Sequence, residues 1–364
     1  MKKHNPNNER IKHKYRNFLK ESQRLSEQSI DAVDHALASF DKYNGYKEFK
    51  RFHYQQAISF KRDLSKRLNA RTGKPLSKTT LHRTLRNLKA FFQWLSMQPG
   101  FKSTVSYPDA EYFNLSEKDV RVTSARRQKR IPTLDQINVA ISNMPSGSAI
   151  EKRDKALVAF TILTGARDSA TASLRLKHVD LDTGCIHQDA REVRTKFSKT
   201  FDTYFFQVGG QSRAIFDEWV EYLRKELLWG DDDPLFPSTR MGLSKDGEFQ
   251  AIGLKRENWK NADPIRRIFR KSFEDVGLPY YRPHSFRDTL VKLGERKCRT
   301  PEDFKAWSQN LGHEQVLTTF SSYGEVSGSR QADIIRNLDD QKRSTPDELK
   351  KMMSRLNSEF QALE

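Results

Sequence analysis

The sequence predicts a mainly α-helical protein with a small antiparallel β-sheet, an α+β fold, divided into two domains. Its 364 residues are enough for two hydrophobic cores of ordinary size. Apolar residues recur at helical spacing along most of the chain. Two β-prone runs, at residues 185–187 and 204–208, flank a basic turn and predict the sheet.

Residues 28–120 predict a small helical domain. One apolar face runs from Ala32 to Phe40 and ends at Asn44-Gly45, because glycine tolerates the positive φ of a helix end. A second apolar face runs from Phe49 to Phe60. Ser77 is the predicted N-cap of a third helix, whose apolar residues are Leu81, Leu85, Leu88, Phe91, Phe92 and Leu95. Before this domain lies a basic extension, residues 1–27, with a frayed start predicted at residues 5–8.

Residues 132–330 predict a second domain, which follows a basic linker at residues 121–131. Thr133 is the predicted cap of its first helix. A strongly apolar helix over residues 156–163 is predicted to be buried on most sides and to stop at Thr164-Gly165. Another helix is expected after Arg282-Pro283, since proline is favoured at the first helical position, and Thr300 caps the next. Residues 331–364 predict a helical tail with one apolar face, which docks in cis or on a neighbouring subunit.

The charge of the chain predicts a polyanionic partner. Lysine and arginine exceed aspartate and glutamate by 18. The excess is concentrated, because residues 51–100 hold eleven Lys or Arg and one acid, Asp63. Residues 121–130 add five basic residues and no acid. Such concentration is typical of a surface that meets phosphates.

The remaining composition narrows the class of protein. The two cysteines, Cys185 and Cys298, are far apart and lack metal-ligand spacing, so neither a disulfide framework nor a zinc site is indicated. No apolar run approaches the roughly eighteen residues that span a bilayer, and the start of the chain does not have the pattern of a signal peptide. We therefore expect a soluble, intracellular protein of a reducing cytosol.

Polar side chains follow the ends of the predicted core helices in the second domain: Arg167, His284 with Arg287, His313 and Tyr323, together with a lysine on the basic turn. A guanidinium stays charged and can hold two phosphate oxygens at once. Cations that are already in place where phosphoryl charge develops lower the barrier by about 2–4 kcal/mol each. A tyrosine can attack phosphorus and keep the bond energy in a covalent link.

In this order, these motifs resemble those of the tyrosine recombinase, or phage integrase, family, over roughly residues 30 to 330. Thr164-Gly165-Ala166-Arg167 matches the first family motif, and His284 to Arg287 matches its His-x-x-Arg box. The third motif is matched by the Leu-Gly-His run at 311–313, the paired threonines at 318–319 and Tyr323. The resemblance implies a core-binding domain and a catalytic domain that form a C-shaped clamp on duplex DNA.

The resemblance also implies a role for each matched residue. Arg167 and Arg287 would clamp the scissile phosphate, His313 would hydrogen-bond a non-bridging oxygen, and His284 would assist proton transfer at Tyr323, the nucleophile. A lysine on the turn would be the general acid, and counting back along the strand favours Lys199 over its close competitor Lys196. No metal, no cofactor and no ATP is implied.

Two departures from the family pattern bear on the site. Ala170 stands where many members carry a glutamate three residues after the first arginine, so Arg167 must be oriented by a different group, for which Asp168 is one candidate. The interval from His313 to Tyr323 is ten residues, one more than usual. The tyrosine's own helix must absorb that extra residue.

Duplex DNA is the expected partner. The basic residues expected to contact it lie in the helical domain, in the linker and on the turn: Arg62, Lys66, Arg67, Lys78, Arg83, Arg86, Arg126, Arg127, Lys129, Arg130 and Lys196. The basic extension is either a docked helix or an additional DNA contact. We expect a tetramer in the synaptic complex, and the resemblance allows for an accessory DNA-bending or directionality factor.

Three functions are open at this point. The first is a site-specific recombinase that integrates or excises a mobile element, which the basic extension and the length favour. The second is a non-catalytic DNA-binding or architectural protein of the same fold, against which the complete set of catalytic groups argues. The third is a type IB topoisomerase-like enzyme, which shares the chemistry but acts as a monomer.

Overall fold

The computed structural model describes residues 4–70, 72–124, 130–243 and 247–313; for residues 122–124 it describes the backbone only. The chain forms two compact units, Met1–Arg127 and Gln128–Glu364. The predicted fold class is confirmed, since both units are mainly helical and the second carries small antiparallel sheets. Within the described residues, no helix is both long and apolar enough to cross a membrane.

The first unit is helical. Its helices are α1 (Pro6–Asn17), α2 (Glu27–Tyr43), α3 (Tyr54–Lys66), α4 (Lys78–Ser96) and α5 (Glu117–Ser124). Their apolar faces meet in an aromatic core in which the rings of Phe52 and Phe92 stack with centroids 3.7 Å apart. The predicted cap of α4 is confirmed, because the Ser77 side chain accepts a hydrogen bond from the amide of Thr80. The second predicted helix begins later than expected, because residues 49–51 form a separate 3-10 turn.

The N-terminal helix α1 is fixed to the first unit by buried contacts. Asn5 caps it, and Tyr15 belongs to the hydrophobic core. The buried amide of Asn8 donates to Asp41 Oδ1 at 2.9 Å and accepts from the backbone N–H of Phe49 at 2.9 Å. The frayed start predicted at residues 5–8 is therefore wrong: the asparagines cap and anchor the helix.

The second unit surrounds one buried helix. Its helices are α6 (Leu134–Asn143), α7 (Ala149–Thr164), α8 (Asp168–Thr171), α9 (Ser212–Glu221), α10 (Asp263–Glu274), α11 (Pro283–Lys297) and α12 (Pro301–Asn310). Helix α7 is buried on most of its surface, as predicted, and ends at Gly165 with φ of 61°. A side chain at Gly165 would clash with Leu290 and Leu311. Both constraints require glycine there, so α11 and residue 311 pack directly against the end of α7.

Two antiparallel sheets complete the second unit. Strands β1 (Val179–Asp180), β2 (Cys185–Gln188) and β3 (Phe201–Tyr204) form the first, in that order. Strand β3 begins three residues before the predicted run, because its register pairs Phe201 with Gln188. Strands β4 (Pro237–Leu243) and β5 (Phe249–Asn258) form a ribbon that the sequence did not predict.

Candidate active site

Arg287 joins the three sequence motifs. It lies on α11 and is only 4% exposed, in contact with the end of α7. Its Nη1 donates to the carbonyl oxygen of Gly165 at 2.6 Å, and its Nη2 donates to the carbonyl of Leu311. The same Nη2 lies 3.0 Å from Nε2 of His313. One buried guanidinium therefore holds together the Thr-Gly-x-Arg, His-x-x-Arg and Leu-Gly-His segments.

His313 is neutral in this arrangement. A guanidinium can only donate, so Nε2 of His313 must be the acceptor, and the ring carries its proton on Nδ1. The pKa of His313 is lowered to about 4, chiefly by burial and then by the charges of Arg287, Arg167, His284 and Lys196, in that order. These four side chains, drawn from three separate stretches of sequence, therefore act on the same imidazole. The structure brings them together around His313.

Arg167 lies two residues after Gly165, where the chain leaves α7 and enters α8. Its side chain is half-buried, and burial lowers the pKa of its guanidinium, which nonetheless stays charged at neutral pH. Asp168 does not orient it, contrary to expectation. The Asp168 carboxylate instead accepts from Arg266, with Oδ2 at 3.0 Å from Nε and 2.9 Å from Nη2. Within the described part of the chain, no carboxylate pairs with Arg167.

His284 occupies the first turn of α11, one turn before Arg287. Its side chain is exposed, whereas that of Arg287 is buried. The helix begins at Pro283 as predicted, and this start sets both side chains. His284 therefore lies on the solvent-exposed side of the site, and Arg287 lies on its buried side.

The two candidate lysines lie on the segment between β2 and β3, which together with these strands is called the lysine hairpin below. Lys196 is exposed, with Nζ 4.6 Å from the centroid of the Phe197 ring, and its charge contributes to the lowered pKa of His313. Lys199 is partly buried, two residues before β3 begins. Phe197 and Ser198 both have positive φ, 61° and 51°, which is unfavourable for residues with a side chain. This strained turn separates the two lysines.

Asn310, which sequence reasoning missed, connects this hairpin to His313. Its side-chain oxygen accepts from the backbone N–H of Tyr204 at 2.7 Å, and its side-chain nitrogen donates to the carbonyl of Tyr204 at 2.8 Å. Its own carbonyl accepts from Thr203 Oγ1 at 3.2 Å. The side chain thereby mimics a neighbouring strand along the outer edge of β3. The only sequence signal is its position directly before Leu311-Gly312-His313.

Gly312 completes the contact between these segments. Its φ of 64° and the Phe201 ring, which a Cβ there would overlap, both require glycine. Tyr323 and the threonines at 318–319 lie outside the described residues. The structure therefore positions the predicted phosphate-binding groups and the lysine hairpin.

The basic residues predicted to contact DNA fall into three groups. Arg62, Lys66, Arg83 and Arg86 are exposed on α3 and α4, and Arg130 is exposed in the second unit. Arg67 and Lys78 have partners within the first unit: Arg67 donates to Asp63 and Ser39, both at 2.7 Å, and Lys78 pairs with Asp119 at 2.8 Å. Arg126, Arg127 and Lys129 lie outside the described residues.

Comparison with known proteins agrees with this arrangement. The model of the phage integrase family matches residues 132–330. The tyrosine recombinase XerC of Lactobacillus delbrueckii subsp. bulgaricus is 26% identical over 314 residues, which cover 85% of this chain and 92% of that protein. XerD of Neisseria meningitidis serogroup B is 26% identical over 196 residues, covering 52% of this chain and 58% of XerD.

Solved structures share the fold. A lambda integrase dimer bound to a COC′ core site has a TM-score of 0.57 at 13% identity, with 88% of this chain and 96% of that chain covered. The Tn1549 transposon integrase in complex with transposon right end DNA has a TM-score of 0.56 at 14% identity, with 90% and 99% covered. The chain therefore belongs to the phage integrase family and is a tyrosine recombinase, an enzyme of site-specific DNA recombination.

Proposed function

We propose that the chain cleaves and rejoins duplex DNA through a covalent 3′-phosphotyrosyl intermediate on Tyr323. The contacts of Arg287 with Gly165, Leu311 and His313 carry this proposal, because one buried guanidinium aligns all three motifs that the chemistry needs. A neutral His313 and a half-buried Arg167 beside it form a cationic pocket with an additional hydrogen-bonding group. Such a pocket fits the negative charge that develops when a phosphodiester is attacked.

The proposed reaction consists of two transesterification steps. The Tyr323 oxygen attacks phosphorus and passes its proton to His284, while the bond from phosphorus to the 5′ oxygen breaks. A lysine ammonium protonates the leaving 5′ oxygen. In the second step a 5′-hydroxyl from the partner DNA duplex attacks the phosphotyrosine and gives its proton to the now neutral lysine. The tyrosine oxygen leaves phosphorus and regains its proton from His284. One phosphodiester is replaced by another, so no ATP is consumed.

Arg167 and Arg287 would hold the non-bridging oxygens of the scissile phosphate, and His313 would add a hydrogen bond. Arg287 already donates to Gly165, Leu311 and His313, so most of its N–H groups hold segments of the protein together. Arg167 has more freedom to reorient towards a phosphate, since no described carboxylate holds it. We therefore assign the larger part of phosphate binding to Arg167.

We assign the general acid to Lys199, with Lys196 as the alternative. The charge of Lys196 acts on His313 and favours the alternative, whereas Lys199 is partly buried and lies two residues before β3, where the hairpin returns to the sheet. A substrate with sulfur in place of the leaving 5′ oxygen separates them, because a thiolate leaves without an acid. Only the variant that lacks the true acid, Lys199→Ala or Lys196→Ala, should regain cleavage on that substrate.

A suicide substrate nicked next to the cleavage point tests the nucleophile, because the released short strand diffuses away and traps the adduct. The wild type should form a covalent protein–DNA species, and Tyr323→Phe should form none. Tyr204→Phe is the matched control, since Tyr204 is an exposed tyrosine of the same unit. An adduct in Tyr323→Phe, or its loss in Tyr204→Phe alone, would refute the assignment.

We further propose that residues 28–120 form the core-binding domain, 121–131 a basic linker and 132–330 the catalytic domain, which together clamp duplex DNA. The lambda integrase dimer and the Tn1549 integrase, both solved on DNA, support a DNA-bound assembly. A tetramer on two sites, with the tail at 331–364 between subunits, is the expected synaptic form. Mass measurement of the complex on a suicide substrate tests the number of subunits.

The finer biological role that we propose is integration or excision of a mobile element. Sequencing the genomic DNA that the protein captures covalently in its own cells tests this role. Capture at the ends of an element would support it. Capture at one chromosomal site with no element attached would favour resolution of chromosome dimers, and relaxation of plasmids that lack any captured site would favour the topoisomerase alternative.

A further inference from the structure

Three side chains of different ligand chemistry meet on the outer face of the first sheet. Cys185 and His187 are two residues apart on β2, and Asp202 is the cross-strand partner of His187 on β3. Their sulfur, ring nitrogen and carboxylate oxygen all lie within 4.8 Å of one another. Within the described residues this is the one such group of histidine, cysteine and acidic side chains. Sequence spacing did not reveal it, because the pairing of β2 with β3 creates it.

The cluster is buried at the cysteine and open to solvent at the histidine and the aspartate. Cys185 is only 2% exposed, whereas the side chains of His187 and Asp202 are 54% and 51% exposed. An ion could therefore enter from solvent, rest on the thiol and keep one position for water. Three protein ligands and one water make the four-coordinate arrangement that zinc adopts.

The local charges favour a cation here despite the net charge of +18. The carboxylates of Asp202 and Asp180 both act on Cys185, so the charge around the cluster is locally negative. A divalent cation is therefore attracted to this part of a chain that otherwise carries an excess of positive charge.

The geometry needs only a small adjustment. Nδ1 of His187 lies 2.7 Å from Oδ1 of Asp202. Two ligands of one tetrahedral zinc ion are about 3.4 Å apart, given zinc–nitrogen and zinc–oxygen bonds of about 2.0–2.2 Å. Both side chains are exposed and can open by that difference. Without metal, the same pair is an ordinary histidine–aspartate contact.

We propose that Cys185, His187 and Asp202 bind one divalent transition-metal ion, with zinc the best match to a set of one sulfur, one nitrogen and one oxygen. Binding releases the thiol proton to solvent. The ion links β2 to β3 at the base of the segment that carries Lys196 and Lys199. Metal binding thus fastens the lysine hairpin from the face opposite to the core.

Cobalt titration of the untagged, full-length protein tests the site. A cobalt–thiolate bond produces a charge-transfer band, and tetrahedral cobalt produces strong visible bands, so the ligand set has its own spectrum. The wild type should show both with one ion per chain, and zinc should displace the cobalt. Cys185→Ser should lose the charge-transfer band. Cys298→Ser is the matched control, because Cys298, the other cysteine, lies near Asp303 and outside the cluster.

Asp202→Asn is a second test of the site, because Cys185→Ser changes a buried residue and could lose the cobalt spectrum through misfolding alone. Asp202 is half-exposed, so the variant should keep the wild-type circular dichroism, yet its cobalt affinity should fall at least tenfold. Zinc should also raise the melting temperature of the wild type and leave that of Cys185→Ser unchanged. Absence of the charge-transfer band in the wild type, its retention in Cys185→Ser, or unchanged affinity in Asp202→Asn would overturn the proposal.

Discussion

Asn310→Ala should detach the lysine hairpin from the His313 segment. The substitution removes two hydrogen bonds to the backbone of Tyr204, at 2.7 and 2.8 Å. A typical hydrogen bond contributes about 0.5–1.5 kcal/mol net. The pair lies near the surface, where water replaces part of what is lost, so we expect a cost of about 1–2 kcal/mol.

The same free energy sets the expected loss of activity. If the hairpin must be aligned for cleavage and Asn310 aligns it, about 1–2 kcal/mol corresponds to a roughly 5- to 30-fold slower single-turnover cleavage of a suicide substrate. DNA affinity should stay the same, because within the described residues the Asn310 side chain hydrogen-bonds to the backbone of Tyr204. Urea unfolding should report the stability change independently.

Gln309→Ala is the control for this prediction. Gln309 is the preceding residue on α12, carries the same amide group and is exposed. Its cleavage rate and unfolding midpoint should match the wild type. Equal rates for Asn310→Ala and Gln309→Ala would show that the hairpin is aligned by other contacts, and weaker DNA binding in Asn310→Ala would show that the effect is not alignment.

Three further predictions follow from the site and the basic helices. Arg287→Lys keeps the charge, but a lysine cannot bridge Gly165, Leu311 and His313 at once. The cleavage rate should therefore fall at least about 100-fold, and the melting temperature should drop. Arg270→Lys is the control and should change neither quantity, because Arg270 is an exposed arginine paired with Glu274. The pKa of His313 is about 4 in the folded chain, below its ordinary value of 6.5. As the pH falls, the unfolded chain is therefore protonated at this histidine before the folded chain is. Stability should therefore fall as pH drops from about 6.5 to 4 and level off below, and His313→Gln should show a smaller fall in urea unfolding at each pH; an equal fall would place the imidazole outside the buried group. Arg62→Ala with Lys66→Ala should lower the salt dependence of DNA binding by about 0.9 per lost phosphate contact, whereas Arg67→Ala should chiefly lower stability, because Arg67 pairs with Asp63 and Ser39; the reverse result would contradict the division.

Local signals in the sequence predicted the helix ends well. Ser77, Thr133 and Thr300 accept hydrogen bonds from nearby backbone amides as caps, and these bonds depend only on residues three positions away. Gly165 ends α7 in the left-handed conformation that glycine favours. The motifs at 284–287 and 311–313 were likewise found because each is short and contiguous.

Features that depend on distant partners were missed or mispredicted. Asp168 was expected to orient Arg167, but it pairs with Arg266, a residue far along the chain. Strand β3 was placed too late, because its register is set by β2 and by Asn310. The β4–β5 ribbon was missed, since several of its apolar residues, such as Leu243 and Phe249, face solvent and do not form the alternating pattern of a buried strand.

The first unit shows the same division between local and distant information. The polar run at residues 5–8 predicts a frayed start, yet Asn8 is buried against Asp41 and the backbone of Phe49. A single asparagine in a polar run carries no signal of such a contact. The Cys185, His187 and Asp202 cluster also escaped notice, because its members approach only when β2 and β3 pair.

The central claim is that Tyr323 attacks the DNA phosphate held by the groups around Arg287. Mass spectrometry of the protease-digested suicide-substrate adduct tests it most directly. The account predicts that the nucleotide is carried by the peptide containing Tyr323, with the fragment ions placing it on that residue. A nucleotide on any other tyrosine, or on a serine or histidine, would contradict it.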